Sequence, residues 1–229
     1  MLKKVLLPVG AVIICLLALV LIRFFFVKEK EPVTDEIDTS IIESSAVMVA
    51  CGQSVGSGNI YSTNDGTFTV VTAEHIFEDA AESDKARINV TFFDGETATA
   101  SIEKADKELD VAFLKVKTDD ITGAEMRYRS ITEGYSNPDK IMPEIGEVIY
   151  LRNSFTGMIY AGTLAFPAVY SEDFGRDMIL CYCTVDEGMS GTGLFGEDGN
   201  YYGMLLGGTE DSRAVCLDMT TISSFFSQR

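Results

Sequence analysis

Histidine is almost missing from this chain: one residue of 229, His75. Any proton transfer that needs an imidazole therefore has a single candidate. Proline is scarce as well, five in all, and no low-complexity tract interrupts the sequence. Basic residues are outnumbered, 18 Lys and Arg against 35 Asp and Glu, for a net charge of −17. Beyond the first thirty residues the imbalance sharpens to 13 basic against 34 acidic side chains. Nucleic acid is argued against as a partner, because phosphate binding needs cationic patches. So is a domain lying flat on an anionic bilayer. Cysteines number five. Cys15 lies in an apolar N-terminal run, and Cys51, Cys181, Cys183 and Cys216 lie beyond it. Four thiols allow three pairings, and the sequence does not choose among them. Cys181-Tyr182-Cys183 is poor spacing for a zinc knuckle, and no second histidine is there to complete a site. No metal and no organic cofactor is expected.

What is present begins with that apolar run. Residues 5–27 carry one charge, Arg23, with Lys3 and Lys4 before them and Lys28 and Lys30 after. The length matches the ~20 residues that cross ~30 Å of hydrocarbon. Ala18 is the last small residue, followed by large aliphatics, Arg23 and three Phe, which does not suit a signal-peptidase site. The reading is an uncleaved transmembrane signal anchor, with Arg23 snorkelling to the headgroups. Lys and Arg nearly balance across the span, so the positive-inside rule speaks weakly. The expected arrangement is a single-pass cell-membrane protein. Residues 1–4 form a cytoplasmic tail, 28–40 a charged tether, and 41–229 a domain outside the cytoplasm.

From residue 41 onward the chain reads as many short strands. Runs such as Thr67-Phe68-Thr69-Val70-Val71-Thr72, residues 86–93 and residues 111–116 are β-rich. Asn64-Asp65-Gly66 and Asp94-Gly95 are turn signals between them. The second half repeats the pattern at 147–151, 158–165, 178–185, 201–206 and 213–217. An all-β sandwich or barrel follows. Helix is expected only as a turn over 76–81 and a C-terminal piece over 220–226.

Three short motifs stand beside expected strand ends. They are Thr72-Ala73-Glu74-His75, Asp110-Val111-Ala112-Phe113-Leu114, and Gly188-Met189-Ser190-Gly191. A serine nucleophile needs an imidazole base, and the base needs a carboxylate to orient it. On proximity alone Asp106 or Asp120 could take the place of Asp110. Together with Val55-Gly56-Ser57-Gly58, the order and spacing resemble trypsin-like serine proteases, with the bacterial HtrA/Deg-like branch the nearest likeness. The resemblance covers roughly residues 47–217. It implies two six-stranded antiparallel β-barrels, the first over about 41–120 and the second over about 140–219, with the site in the cleft between them.

The resemblance also implies roles. His75 would be the general base, Asp110 its orienting carboxylate, and Ser190 the nucleophile that forms an acyl-enzyme on a protein or peptide substrate. The amides of Gly188 and Ser190 would form the oxyanion hole. Thr184 would lie at the base of the specificity pocket, and Leu206, Gly207 and Gly208 would pair with substrate. No Asp stands at the pocket-base position, so a small or medium apolar side chain is expected there. Several residues depart from the family pattern. Thr192-Gly193 replaces Gly-Pro after the nucleophile, and Met189 cannot receive a new N-terminus as an Asp would. Glu74 crowds the base and is expected to raise its pKa. No C-terminal PDZ domain of the kind HtrA-like proteases commonly carry is expected. The expected activity is that of a membrane-anchored serine endopeptidase. The alternative is a catalytically silent or resting trypsin-like domain that binds a peptide or partner.

Overall fold

The computed structural model of the protein describes residues 39–228, apart from 65, 86, 120, 122, 134–141 and 210. The expected membrane span over 5–27, the cytoplasmic tail and most of the tether lie outside the described residues. Among the described residues, no helix is long and apolar enough to cross a membrane.

Strict alternation builds the first barrel. In β1 (Ala46–Cys51) Val47, Val49 and Cys51 turn inward, and β5 (Thr97–Asp106) follows the same period of two. With β2 (Ser54–Asn64), β3 (Thr67–Thr72), β4 (Ile88–Phe92) and β6 (Val111–Lys117), they close in the order β1-β2-β3-β6-β5-β4. Register shifts at Ile60/Ser62 and Ile102/Lys104 add the local twist that closure requires. An aromatic cluster stands within the barrel's otherwise mainly aliphatic core. Phe68 meets Phe92 and Tyr128 edge-on, and Phe92 stacks on Tyr128 at 4.2 Å.

The second barrel closes as β10-β11-β12-β9-β8-β7. Its strands are β7 (Val148–Arg152), β8 (Ile159–Ser171), β9 (Arg176–Tyr182), β10 (Gly193–Gly196), β11 (Tyr201–Thr209) and β12 (Arg213–Asp218). Its separate core is aliphatic and sulfur-rich, with Ile149, Leu164, Ile179, Met189, Leu194, Leu205 and three cysteines. Cys51, Cys181, Cys183 and Cys216 are all free and buried. Burial pushes the Cys183 thiol up to about 11. Cys216 is raised well above the usual thiol range by its hydrogen bond with Cys181 and by burial.

Two six-stranded antiparallel barrels are what the resemblance implied. The helices differ from expectation. The turn expected over 76–81 is a single 3-10 turn, Glu74–Phe77. Three short helices, Ser40–Ser45, Glu82–Lys85 and Ala124–Arg127, are additional. The C-terminal helix, Met219–Ser227, is capped by Asp218, which accepts from the Thr221 amide at 2.9 Å. It leaves the second barrel and packs on the first. Phe226 lies 4.8 Å from Phe113 and 4.7 Å from Tyr61. Lys104 of β5 donates to the carbonyls of Phe225 and Gln228, completing the helix end.

Candidate active site

His75 sits in the 3-10 turn that follows β3. Ile76 and Phe77, next in sequence, are buried and pin that turn, which leaves the imidazole at the surface. Asp110 precedes β6 with φ +56°, a left-handed conformation rare for a residue with a side chain. Asp106 makes that conformation reachable. Its Oδ1 accepts from the amides of Glu108 and Leu109, each at 2.9 Å, and tightens the turn. Asp106 is therefore occupied, and Asp110 is the carboxylate that meets the base. His75 Nδ1 lies 2.7 Å from Asp110 Oδ2, and the His75 amide donates to Asp110 Oδ1 at 2.9 Å. Both carboxylate oxygens hold the same residue, which fixes the ring's position as well as its tautomer.

The hydrogen bond to Asp110 raises the His75 pKa above its ordinary 6.5. Desolvation opposes it, and the charges of Asp110, Glu74 and Glu78 add to the rise. The crowding by Glu74 thus acts in the expected direction but behind Asp110. Glu74 is itself raised, first by burial and then by the repulsion of Asp110 and Glu78.

The Ser190 loop comes from the second barrel and is held by backbone. The Ser57 amide donates to the Ser190 carbonyl at 2.8 Å, and the Gly191 amide donates to Leu205 O at 2.7 Å. Gly191 has φ +90°, and a Cβ there would fall 2.1 Å from Ser57 O and 3.0 Å from the Ala73 amide. Only glycine lets the loop come this close to the strand that leads into His75. The next residue, Thr192, donates its hydroxyl to Arg152 O at 2.6 Å. Residues 186–189 form a turn closed by Met189 N–H to Asp186 O, with Gly188 at φ +80°. Glu187 is not among the positive-φ residues, so the turn is type II. Among the described residues, the amides of Gly188 and Ser190 donate to no internal acceptor. Ser190 Oγ and His75 Nε2 make no hydrogen bond to each other there.

The remaining expected residues lie along one side. Thr184 is exposed just past β9, Leu206 is buried, and Gly207 and Gly208 pair with Val215 and Ala214 near the end of the β11 ladder. A Cβ on Gly208 would press Val185 at 3.0 Å. One on Gly207 would meet only Phe174, at 3.9 Å. Phe174 belongs to the β8–β9 hairpin, whose residues 172–176 line a cleft of about 610 Å³ together with His75 and Asp110. Arg176 ties that hairpin to the first barrel by donating to Glu108 O at 2.8 Å. Phe174 and Arg176 were not foreseen from the sequence, since nothing local marks a hairpin tip that reaches another barrel. Among the described residues, no cluster of His, Cys, Asp and Glu is arranged to hold a metal.

Known proteins are similar to this chain in sequence or in fold. The Do-like 14 protein of Arabidopsis thaliana is 28% identical over 165 residues, 68% of this chain and 36% of its own. A serine protease HtrA-like protein of Staphylococcus haemolyticus is 35% identical over 86 residues, 38% of this chain and 12% of its own. The chain thus spans about a third or less of the length of these curated relatives. Among solved structures, the serine endoprotease from Yersinia pestis superposes with a TM-score of 0.63 at 18% identity, over 81% of this chain and 62% of that one. Rv3671c of M. tuberculosis, as a Ser343Ala mutant in its inactive form, gives 0.61 at 18%, over 82% and 88%. At such identity these two share the fold. The model of the trypsin-like peptidase domain matches residues 56–204, from the glycine before Ser57 into β11, and the chain belongs to that family.

Proposed function

We propose that this chain is a serine endopeptidase of the HtrA type, cutting protein substrates through an acyl-enzyme on Ser190. The observation that carries the reading is the His75–Asp110 pair, held through two bonds at 2.7 and 2.9 Å. In the proposed reaction His75 takes the Ser190 proton as Oγ attacks the scissile carbonyl, then gives it to the leaving amine. Water repeats the exchange to release the acyl group. The uncommitted amides of Gly188 and Ser190 suit the developing oxyanion. Substrate would lie along Leu206, Gly207 and Gly208 in extended form, where Gly207 leaves room for a second backbone. With no acid at Thr184, a small or medium apolar side chain would precede the cut. Residues 5–27 would anchor the protein in the cell membrane with the barrels outside the cytoplasm. Unfolded or membrane-proximal proteins would then be the substrates.

One observation favours a second reading, a resting domain. The Ser190 and His75 side chains are not hydrogen-bonded to each other, as though the last contact of the triad forms only with substrate or partner in place.

Labelling of the full-length chain with a fluorophosphonate decides between them. Modification of Ser190 in the isolated protein, lost in Ser190→Ala and in His75→Ala, supports the peptidase. A folded protein that stays unlabelled overturns constitutive activity and favours the resting form.

A further inference from the structure

Met189 stands where an ionic switch residue would have to be, and its side chain is wholly buried in the second-barrel core beside Cys181 and Cys216. No charge at that position can hold the 186–190 loop. Yet the type II turn leaves the Gly188 amide free, and a type I turn would flip its preceding peptide. With no ion pair beneath it, the turn depends on other contacts to hold its two ends in place.

Two contacts reach the turn from opposite sides. At its start, the Tyr160 hydroxyl of β8 hydrogen-bonds the Asp186 carboxylate, and this bond raises the Tyr160 pKa. The Asp186 amide in turn points at Met189 Sδ, 3.2 Å away. At its end, the hydroxyl of Ser57, on β2 of the first barrel, donates to the Gly188 carbonyl at 2.8 Å. Ser57 is fully buried with all its polar groups engaged, and its hydroxyl and amide reach across the barrel boundary. Its amide holds Ser190 O, and its carbonyl accepts from the Thr72 hydroxyl at 2.6 Å.

We propose that Ser57 and the Tyr160–Asp186 pair are positioning residues that clamp the 186–190 turn with its amides facing out, in place of an ion pair at position 189. This rests on the peptidase reading above for its catalytic consequence, though not for the clamp itself. Asp186 fixes where the turn begins. The Ser57 hydroxyl fixes the 188–189 peptide, because a Gly188 carbonyl that rotated away would leave a buried donor unpaired. The first barrel thereby senses the oxyanion loop of the second through one hydroxyl.

The test uses the full-length chain, Tyr160→Phe and Ser57→Ala, with two readouts. One is the fluorophosphonate labelling rate and, on a cleaved peptide, kcat and KM separately. The other is the Gly188 amide resonance after glycine-selective 15N labelling. Tyr160→Phe removes one partly exposed hydroxyl and leaves the fold intact. We expect it to lower kcat about tenfold, the weight of one hydrogen bond to a charged group, with KM nearly unchanged. The single Gly188 resonance should broaden or split. Ser57→Ala should do the same to a greater extent. Unchanged kcat and an unchanged single resonance in both variants would overturn the clamp. Should the unmodified protein resist labelling, the peptidase reading fails by itself, and the Gly188 resonance alone decides the clamp.

Discussion

The two barrels hold their halves of the site by different means. The first fixes His75 and Asp110 side chain to side chain, with both carboxylate oxygens engaged. The second presents Ser190 from a loop whose position depends on backbone bonds to Ser57, Leu205 and Thr192. The base is thus preorganised by local chemistry and the nucleophile by docking between domains. Damage to the first half should appear in catalysis, and damage to the second in stability and catalysis together.

Asp110→Asn breaks the first half most severely. The amide would favour the wrong tautomer of His75 while the fold stays in place, and kcat should fall by about 10⁴. Circular dichroism and thermal melting of the same sample should match the parent protein. A loss of only a few fold would mean that another group orients the base.

Gly191→Ala breaks the second half. The new methyl would meet the backbone oxygen of Ser57 at 2.1 Å, at φ +90°. Neither strand can yield cheaply, so we expect a loss of about 4 kcal/mol or more in urea unfolding, together with loss of labelling at Ser190. Folding free energy within about 1 kcal/mol of the parent would show that the interbarrel contact is loose.

The cores differ as the sites do, and Phe113→Ala sharpens the point. Phe113 is fully buried in the first barrel, touching Tyr61, Phe225 and Phe226. Its removal should cost about 3–4 kcal/mol and free the C-terminal helix as well. Proteolysis should then clip residues beyond 218 before either barrel. If the helix stays protected, its hold on Lys104 outweighs its aromatic packing.

Much of this was legible in the sequence because it is local. Val47, Val49 and Cys51 announce a half-buried strand by spacing alone, and Thr72-Ala73-Glu74-His75 and Asp110-Val111 carry their roles in short motifs. β10 was missed because Gly193–Gly196 is short, flanked by glycine and buried throughout, so it shows no alternation. β8 runs on to Ser171 because Pro167 falls within a register shift between Phe166 and Val169, where its missing amide does no harm. The C-terminal helix was visible, but its docking on the first barrel was not. The Ser57 hydroxyl, Tyr160 and Arg176 find their partners 131, 26 and 68 residues away, and no local pattern encodes such contacts.

The smallest expected effect concerns Glu74, which touches the comparison only through its charge. Activity should rise with pH as His75 loses its proton, at a pKa held above 6.5 chiefly by Asp110 and secondarily by Glu74 and Glu78. Glu74→Gln removes one of the secondary contributors, so the acid limb of kcat/KM should move to lower pH. Because these charges are partly exposed, the difference between the two proteins should shrink in about 1 M salt, where the screening length is about 3 Å. Stability should move the other way from the usual carboxylate loss. Glu74 has a folded pKa raised above 4.5, so its ionised form is disfavoured by folding and opposes stability once pH exceeds that raised value. The glutamine variant should therefore melt slightly higher at neutral pH and match the parent near pH 4. His75 contributes with the opposite sign. Its raised pKa adds stability that is complete below 6.5 and fades as pH climbs through the folded value. A limb that stays in place in Glu74→Gln would assign the raised His75 pKa to Asp110 and Glu78 without help from its neighbour in sequence.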